Sequence, residues 1–311
     1  MIHLKKKTAE SEIAVVYVAE SAEGHPLEFV ESVQPPIPQE EKWVLIISTL
    51  YGCPVHCRFC DAGHFYRGPV PLEDLLEQVE IMVQPRYPDR VIPVSKFKIQ
   101  LARMGEPAFN PAVLDFLRIL PETYDAPGLL PTLSTIAPAS ADRFFRELIE
   151  IKQSLYPKHF QMQFSIHTTD EARRDWMIPV KKWSFSAMAD YGMDFYQTGG
   201  RKITLNFALA EHQPLDPDVL LKYFNPDSFL VKVTPINPTA RALENGLASH
   251  VHRQASSYPV IDRIREAGYD VILSIGDWEE NAIGSNCGQY ITNYMKAEKK
   301  VEGYSYPLKP V

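Results

Sequence analysis

The chain has 311 residues, of which 45% are hydrophobic, and this suits one large globular domain or two ordinary ones. A formal net charge of −7, from 32 basic and 39 acidic residues, gives no broad positive field that would favour nucleic-acid binding. No apolar run is long enough for a membrane span, and the charged start MIHLKKKTAESE lacks the apolar segment of a secretory signal. We therefore expect a cytoplasmic protein without membrane contact.

The first part of the chain alternates between strand and helix patterns. An apolar run over 43–49 predicts a buried strand, and apolar residues at helical spacing predict a helix over 72–83. Apolar alternation predicts a strand over 97–101, and an Asn-Pro pair opens a helix over 110–120.

The second part continues the same alternation. Strands are predicted near 129–134, 160–166, 203–209, 228–234 and 269–275, with helices from a Ser140 cap through Ile149, over 217–224 and over 259–268. Repeated strand–helix alternation predicts a parallel sheet covered by helices, either a partial or full barrel or a doubly wound sheet.

Polar or unusual residues stand where the apolar strands end. They are the cysteine group after residue 49, the segment 104–107, Ser134, the segment 165–167, Asn237 and Cys287. Because chemistry in both architectures lies at the carboxyl ends of the strands, we expect these residues to face one mouth.

Three of the four cysteines lie in one short segment, YGCPVHCRFCDAG. Cys53, Cys57 and Cys60 are too close together to join distant segments by disulfides, so metal or redox chemistry is expected. Three thiolates from one loop would hold a cubane iron–sulfur cluster and leave one iron without a protein ligand. The alternatives are a structural zinc site completed by His56 or His64, and a chance group of thiols.

The segment GCPVHCRFC resembles the signature of radical SAM enzymes, in which the open iron binds S-adenosylmethionine and the cluster cleaves it to a deoxyadenosyl radical. More narrowly, the region from about 29 to 290 resembles the RlmN/Cfr family of radical SAM methyltransferases. The matching motifs, in the family's order, are GCPVHCRFC, RMGEPAFNP, LST, SIH, PINP and NCGQ. The resemblance implies an α/β fold: a partial (β/α)6-type radical SAM barrel over 43–295, a short β-rich extension over 1–42 and a tail over 296–311.

The matched motifs imply a set of site residues. Cys53, Cys57 and Cys60 would hold a 4Fe-4S cluster, and Gly105 and Glu106 would meet the methionine part of S-adenosylmethionine. A carboxylate at the end of a strand is a good acceptor for hydrogen bonds from an ammonium group. Further cofactor contacts implied by the resemblance are Ser134, Ser165, Ile166, His167 and Asn237. Seen singly, such residues also serve as helix caps, turn residues or core histidines, and only the ordered set indicates the cofactor site.

The fourth cysteine, Cys287, stands in NCGQ. This motif resembles the family segment whose cysteine is methylated by one S-adenosylmethionine and then, after hydrogen abstraction, delivers a methylene group to an sp2 carbon such as an amidine carbon of adenine. A thiolate is the nucleophile that takes a methyl group from a sulfonium, although a lone cysteine is also a common small core residue. Glu31 aligns, with a gap, with the glutamate proposed as the family's base, and a solvated strand glutamate is the alternative. Cys287 and Glu31 are the predicted catalytic residues.

Two departures separate the sequence from the family. The second family cysteine, seven residues before the cluster, is replaced here by Ile46, so the family's disulfide route for product release has no thiol. Only 52 residues precede Cys53, which we expect to be too short for the family's helical RNA-binding region.

These features predict a radical SAM enzyme that transfers a methyl or methylene group through Cys287 to an sp2 carbon of a small heteroaromatic metabolite, cofactor or peptide. One alternative is an RNA adenine C-methyltransferase aided by a partner protein. Another is a hydrogen-abstracting dehydrogenase or mutase in which Cys287 carries no methyl group, and a third is a non-catalytic iron–sulfur or zinc module. The enzyme hypotheses require a reductant such as flavodoxin or ferredoxin.

Overall fold

The structure is a computed structural model that describes residues 1–8, 13–32, 37–251, 258–275 and 308–310. The strands are β1 (Ile2–Thr8), β2 (Ala14–Ser21), β3 (Pro26–Ser32), β4 (Lys42–Ile47), β5 (Leu50–Gly52), β6 (Tyr66–Pro69), β7 (Lys96–Leu101), β8 (Leu129–Thr135), β9 (Gln161–Ser165), β10 (Ile203–Leu209), β11 (Phe229–Pro235), β12 (Val271–Leu273) and β13 (Leu308–Pro310). The α-helices are α1 (Leu72–Val83), α2 (Ala112–Thr123), α3 (Asp142–Leu155), α4 (Glu171–Met177), α5 (Phe185–Phe195), α6 (Pro217–Tyr223), α7 (Ala240–Glu244) and α8 (Pro259–Glu266).

Eleven strands form one sheet in the order β12-β11-β10-β9-β8-β7-β4-β3-β2-β1-β13. Neighbouring strands from β4 to β12 are parallel. At the other side, β3, β2, β1 and β13 continue the sheet in antiparallel pairs. A separate two-stranded hairpin is made by β5 and β6. The predicted α/β class with a mostly parallel sheet is confirmed, and the N-terminal strands extend that same sheet.

Alternation along each parallel strand separates an apolar face from a cavity-lining face. In β7, Phe97, Ile99 and Leu101 are fully buried in the main core, whereas Lys98 and Gln100 line a cavity on the opposite face. Burying each large apolar side chain contributes roughly 1.5 to 3 kcal/mol, so this outer layer, packed against the helices, holds the sheet together. Residues from β4 and from β7 to β11 line the same cavity, which shows that the sheet curves around it.

Most predicted elements agree with the structure to within a few residues, and three helices, α4, α5 and α7, were missed. Helices α4 and α5 lie between β9 and β10, and their N-caps are Asp170 and Ser184, whose side chains accept backbone N–H bonds. The predicted Ser140 cap is wrong, because α3 begins at Asp142 after Ala141. Within the described ranges, none of the helices has the length and apolar character needed to cross a bilayer.

Candidate functional site

The cysteine loop joins β5 to β6. Gly52, just before the first cysteine, has a φ of 85°, and a Cβ there would lie 1.8 Å from the backbone oxygen of Phe65. Only glycine therefore allows the chain to enter the loop in this conformation. The Cys53 N–H then donates to the same Phe65 oxygen at 3.1 Å, which fixes the start of the loop against β6.

Cys53, Cys57 and Cys60 are thiols that line one cavity. Burial raises the pKa of Cys53 to about 12. For Cys57, burial together with the neighbouring Cys60 and Cys53 raises the pKa well above its ordinary value. Such a group is costly to ionise unless a cation binds the thiolates, which is what iron of a cluster would do.

The donor set fits a cluster better than a zinc ion. Among the described residues, no three histidine, cysteine, aspartate or glutamate side chains are placed to hold a single metal ion. His56 Nδ1 lies 2.6 Å from the Gly63 oxygen, and His64 Nε2 lies 3.6 Å from the Asp61 carboxylate, so both histidines considered for zinc have protein partners. In a cubane cluster each thiolate binds a different iron, so the sulfurs are spread more widely than around one ion.

A distant segment holds the cysteine loop in place. The Asp61 carboxylate accepts the first two N–H groups of α7, at 3.1 and 3.0 Å. In return, Arg241 Nε donates to the Cys57 oxygen at 3.2 Å, and Thr239 Oγ1 donates to the Phe59 oxygen at 3.0 Å. This clamp could not be predicted from the sequence, because its partners lie about 180 residues apart along the chain.

We expect Asp61→Ala to loosen the loop as well as to lower stability. Loss of a side chain that accepts the first N–H groups of a helix costs about 1 kcal/mol of unfolding free energy. Asp216→Ala is the matched control, because Asp216 caps α6 through the Asp218 N–H and lies outside the cavity lining. After reconstitution and gel filtration, the Asp61 variant should retain less iron than the Asp216 variant. Equal iron retention would show that the clamp does not hold the ligand loop.

Glu106 lies beyond the end of β7, beside the cysteines. Gly105, just before it, has a φ of 97°, and a Cβ there would lie 2.5 Å from the Leu50 side chain, so the approach requires glycine. The Glu106 carboxylate accepts the backbone N–H groups of Ala108 at 3.1 Å and Ile136 at 2.9 Å and the Thr135 hydroxyl at 2.5 Å.

The electrostatic state of Glu106 depends on what the cavity contains. Burial raises its pKa to about 7, while the three hydrogen bonds act in the opposite direction. A bound ammonium group would favour the ionised carboxylate. Glu106 is therefore suited to a cationic ligand in the cavity.

The other predicted contacts lie around the same mouth. Ser134, Ser165, His167 and Asn237 all line the cavity, at or beyond the ends of β8, β9 and β11. His167 Nδ1 accepts the Ala208 N–H at 3.0 Å, so the ring proton is on Nε2.

His167 and Ile166 can offer different groups to a bound cofactor. Burial, and secondarily Arg174, lowers the pKa of His167 to about 3, so the ring is neutral near neutral pH. Ile166 has its side chain fully buried in the main core, unlike the other predicted cofactor contacts, and can contribute only backbone atoms.

Of the two predicted catalytic residues, only Glu31 lies within the described part of the chain. Cys287 lies outside the described residues. Glu31 lies on the outer face of β3, where Trp43 Nε1 donates to it at 3.0 Å and Arg86 forms an ion pair with it. Its neighbour Val30 pairs with Ile46, which lines the cavity, so strand alternation directs Glu31 the other way. This placement corrects the prediction of Glu31 as a base at this site.

Two buried arginines at the mouth were not predicted. Arg174 of α4 donates to the backbone oxygens of Ile136 at 3.1 Å and Ser165 at 3.3 Å, which ties the ends of β8 and β9 together. Arg103 lines the cavity, and its Nε lies 2.8 Å from the carboxylate of Glu28. A single sequence offers little signal for Arg174, because the short helix that carries it has no clear apolar period.

Comparison with known proteins agrees with the geometry. No protein-family model matches the chain. It is 24% identical over 260 residues to the probable dual-specificity RNA methyltransferase RlmN of Mycobacterium sp. (strain KMS), and 28% identical over 222 residues to the RlmN of a Synechococcus strain. The chain is similar to proteins named as RlmN-type RNA methyltransferases. The RlmN of Mycolicibacterium smegmatis is 26% identical over 285 residues.

The matched segments cover part of each protein. They make up 78%, 69% and 83% of this chain and 66%, 60% and 70% of the Mycobacterium, Synechococcus and Mycolicibacterium relatives, in that order. A solved structure, a radical SAM methyltransferase from Sphaerobacter thermophilus, superposes with a TM-score of 0.65 over 88% of this chain and 77% of the other, at 18% identity. This likeness shows a shared fold.

Proposed function

We propose that the chain is a radical SAM methyltransferase in which Cys53, Cys57 and Cys60 hold a 4Fe-4S cluster. The observation that carries the proposal is that these three thiols and Glu106 line one cavity of about 390 Å³ at the carboxyl ends of parallel strands. When bound, the cluster would supply the electron that cleaves S-adenosylmethionine. The reductant in this proposal is a flavodoxin or ferredoxin of the cytoplasm.

The residues around the mouth would bind and orient S-adenosylmethionine. Glu106 would accept a hydrogen bond from the ammonium group, and the neutral His167 would offer an Nε2 proton as donor. Gly105, Ser134, Ser165 and Asn237 would complete the pocket, with Ile166 contributing backbone atoms. Arg174 would act as a positioning residue, because it holds the backbone on which Ser165 and Ile136 stand.

In the proposed transfer, Cys287 carries the methyl group to an sp2 carbon of a small heteroaromatic, cofactor or peptide substrate. Ile46 lines the cavity at the position where the family has its second cysteine, so the product must leave by a route other than a disulfide. A second candidate is RNA, because the curated relatives are named RNA methyltransferases. A hydrogen-abstracting enzyme without methyl transfer is the third.

Cys287→Ala tests the carrier role. Peptide mass spectrometry after incubation with S-adenosylmethionine should show one added methyl group on the Cys287 peptide of the wild type and none on the corresponding peptide of the variant. The physical reason is that alanine offers no nucleophile to the sulfonium. Equal methylation of both proteins, or none of the wild type under reducing turnover, would favour hydrogen abstraction instead.

The proposed cofactor chemistry has its own test. Anaerobic reconstitution of the wild type should give about four irons and four sulfides per chain, and dithionite with S-adenosylmethionine should release 5′-deoxyadenosine and methionine. Stoichiometric zinc without iron absorbance, or a reduced cluster that releases no deoxyadenosine, would contradict the proposal.

A further inference from the structure

The cavity-lining faces of three strands carry a group of lysines. Lys42 of β4, Lys98 of β7 and Lys232 of β11, here called the inner lysine group, all line the cavity. They come from three strands of one curved sheet, so they converge from different sides. Barrel interiors are ordinarily filled by branched apolar side chains, and three ammonium groups in such a place need a reason.

The electrostatics of Lys98 show how crowded these cations are. Burial, followed by Lys232, Lys96, Lys42 and Arg201, lowers the pKa of Lys98 to about 7. Within the described part of the chain, the structure shows no carboxylate bonded to Lys98, and Glu106 is the only carboxylate among the described lining residues. Burial without a bonded carboxylate disfavours the charged form of Lys98, and an anion bound beside it would restore that form.

Polar groups beside the lysines are also directed into the cavity. Gln100, Gln163 and Asn206 line it between the lysines. Asn206 pairs in register with Lys232 on the neighbouring strand, so their side chains share one face. The Asn206 side-chain oxygen is buried without a hydrogen-bond partner among the described residues. That oxygen can only accept a hydrogen bond, whereas the ammonium groups and the amide N–H groups are donors of the kind that bind carboxylates and phosphates.

We propose that the inner lysine group binds the carboxylate or phosphate of a small-molecule substrate, and this inference rests on the function proposed above. Lys98 lies three residues before the end of β7, about 10 Å below the mouth where Glu106 stands. A small anion can reach this depth with its reactive carbon left at the mouth. An internal nucleotide of RNA enters base first, and its phosphates stay on the polymer outside.

The test is a titration of the 311-residue chain, without cluster or S-adenosylmethionine, by calorimetry at low ionic strength and pH 7. The probes are inorganic phosphate, succinate and a single-stranded RNA 20-mer. We expect phosphate or succinate to bind saturably, and the better of the two indicates whether the substrate is a phosphate ester or a carboxylate. Lys98→Met should weaken that binding at least tenfold, because a charge-assisted hydrogen bond is lost.

Two control variants distinguish loss of the positive charge at residue 98 from a general effect of substitution on the protein. Lys98→Arg keeps the charge and should bind the probe within about threefold of the wild type. Lys158→Met removes an exposed lysine outside this cavity and should leave binding unchanged. Failure of both small anions to bind the wild type, or equal binding by wild type and Lys98→Met, would overturn the proposal. So would RNA binding that depends on Lys98 while neither small anion binds, since this outcome would assign the lysines to RNA.

Thermal unfolding without anion gives an independent readout. Folding lowers the Lys98 pKa from 10.5 to about 7, so the wild type loses stability as pH falls from 10.5 to 7 and loses no more below that. The facing cations are Lys42, Lys96, Lys232 and Arg201, and the described lining of β8, β9 and β10 adds uncharged residues only. Lys98→Met should therefore melt at least about 3 °C higher than wild type at pH 7, with a smaller gain near pH 10.

The two proposals can fail separately. Release of deoxyadenosine by the wild type tests the cofactor chemistry and needs no substrate, whereas the anion titration needs no cluster. If the wild type cleaves S-adenosylmethionine but binds no anion, the proposed function stands and the proposed anion site at the inner lysine group is wrong. If it binds an anion but does not cleave S-adenosylmethionine, the anion site stands and the protein has another activity.

Discussion

Cys57→Ala should abolish the reductive cleavage of S-adenosylmethionine. Cys57 lies between the other two thiols along the loop, and Arg241 from α7 donates to its backbone oxygen, so the substitution removes one sulfur from a loop whose backbone is held in place. Two thiolates from one loop do not hold a cubane cluster stably. The iron content of the reconstituted variant should fall by more than half, and deoxyadenosine release should fall below detection, at least a thousandfold under the wild type.

Cys287→Ala is the matched control for loss of a thiol, and it should keep the iron content of the wild type. The same measurement on Cys53→Ala and Cys60→Ala should repeat the Cys57 result, because all three thiols line the cavity. Full iron content and undiminished deoxyadenosine release in the Cys57 variant would show that the loop does not hold the cluster.

Features encoded by short-range periodicity could be predicted from the sequence. Alternating apolar residues located β7 and β9, and continuous apolar runs located β4 and β11, because burial on one or both faces of a strand leaves a local pattern. The mouth followed from these strands, because residues just beyond parallel strand ends must share one edge. Glu106 and Asn237 therefore lie near the cysteines as predicted.

Two kinds of feature could not be predicted as well from the sequence: which face of a strand a side chain occupies, and contacts between residues far apart along the chain. The gap in the alignment at Glu31 matters because a shift of one residue moves a strand side chain to the opposite face. The polar positions Lys98 and Gln100 alternate with core residues in the same way as solvent-facing residues do. Only the curvature of the sheet shows that they line a cavity.

Helix α5 was predictable in principle. Phe185, Met188, Gly192 and Phe195 recur at helical spacing after the Ser184 cap, and they are buried in the structure. Helix α4 has only seven residues, and its buried positions are Arg174 and Met177, so its hydrophobic period is too short to detect. The arginine that ties β8 to β9 was missed with it.

Glu28→Met should lower the free energy of unfolding by about 3 to 5 kcal/mol, because it leaves the buried Arg103 guanidinium without its carboxylate. The two side chains are 0% and 2% exposed, so water cannot replace the lost partner. The measurement is urea denaturation followed by far-UV circular dichroism, with the slope against urea checked for two-state behaviour.

A double variant and a control at an exposed ion pair test whether the loss of stability comes from the unpaired buried charge. Glu28→Met combined with Arg103→Met removes both charges and should recover most of the loss, since an apolar pair is often as stable as the ion pair that it replaces. Asp262→Asn breaks the exposed contact with Arg265, where both side chains are about half exposed, and should cost less than about 1 kcal/mol. Two results would contradict the prediction: Glu28→Met costs no more than Asp262→Asn, or the double variant is less stable than the single one. Either result would show that the charge of Arg103 is stabilised by another group at the mouth of the cavity and not by Glu28.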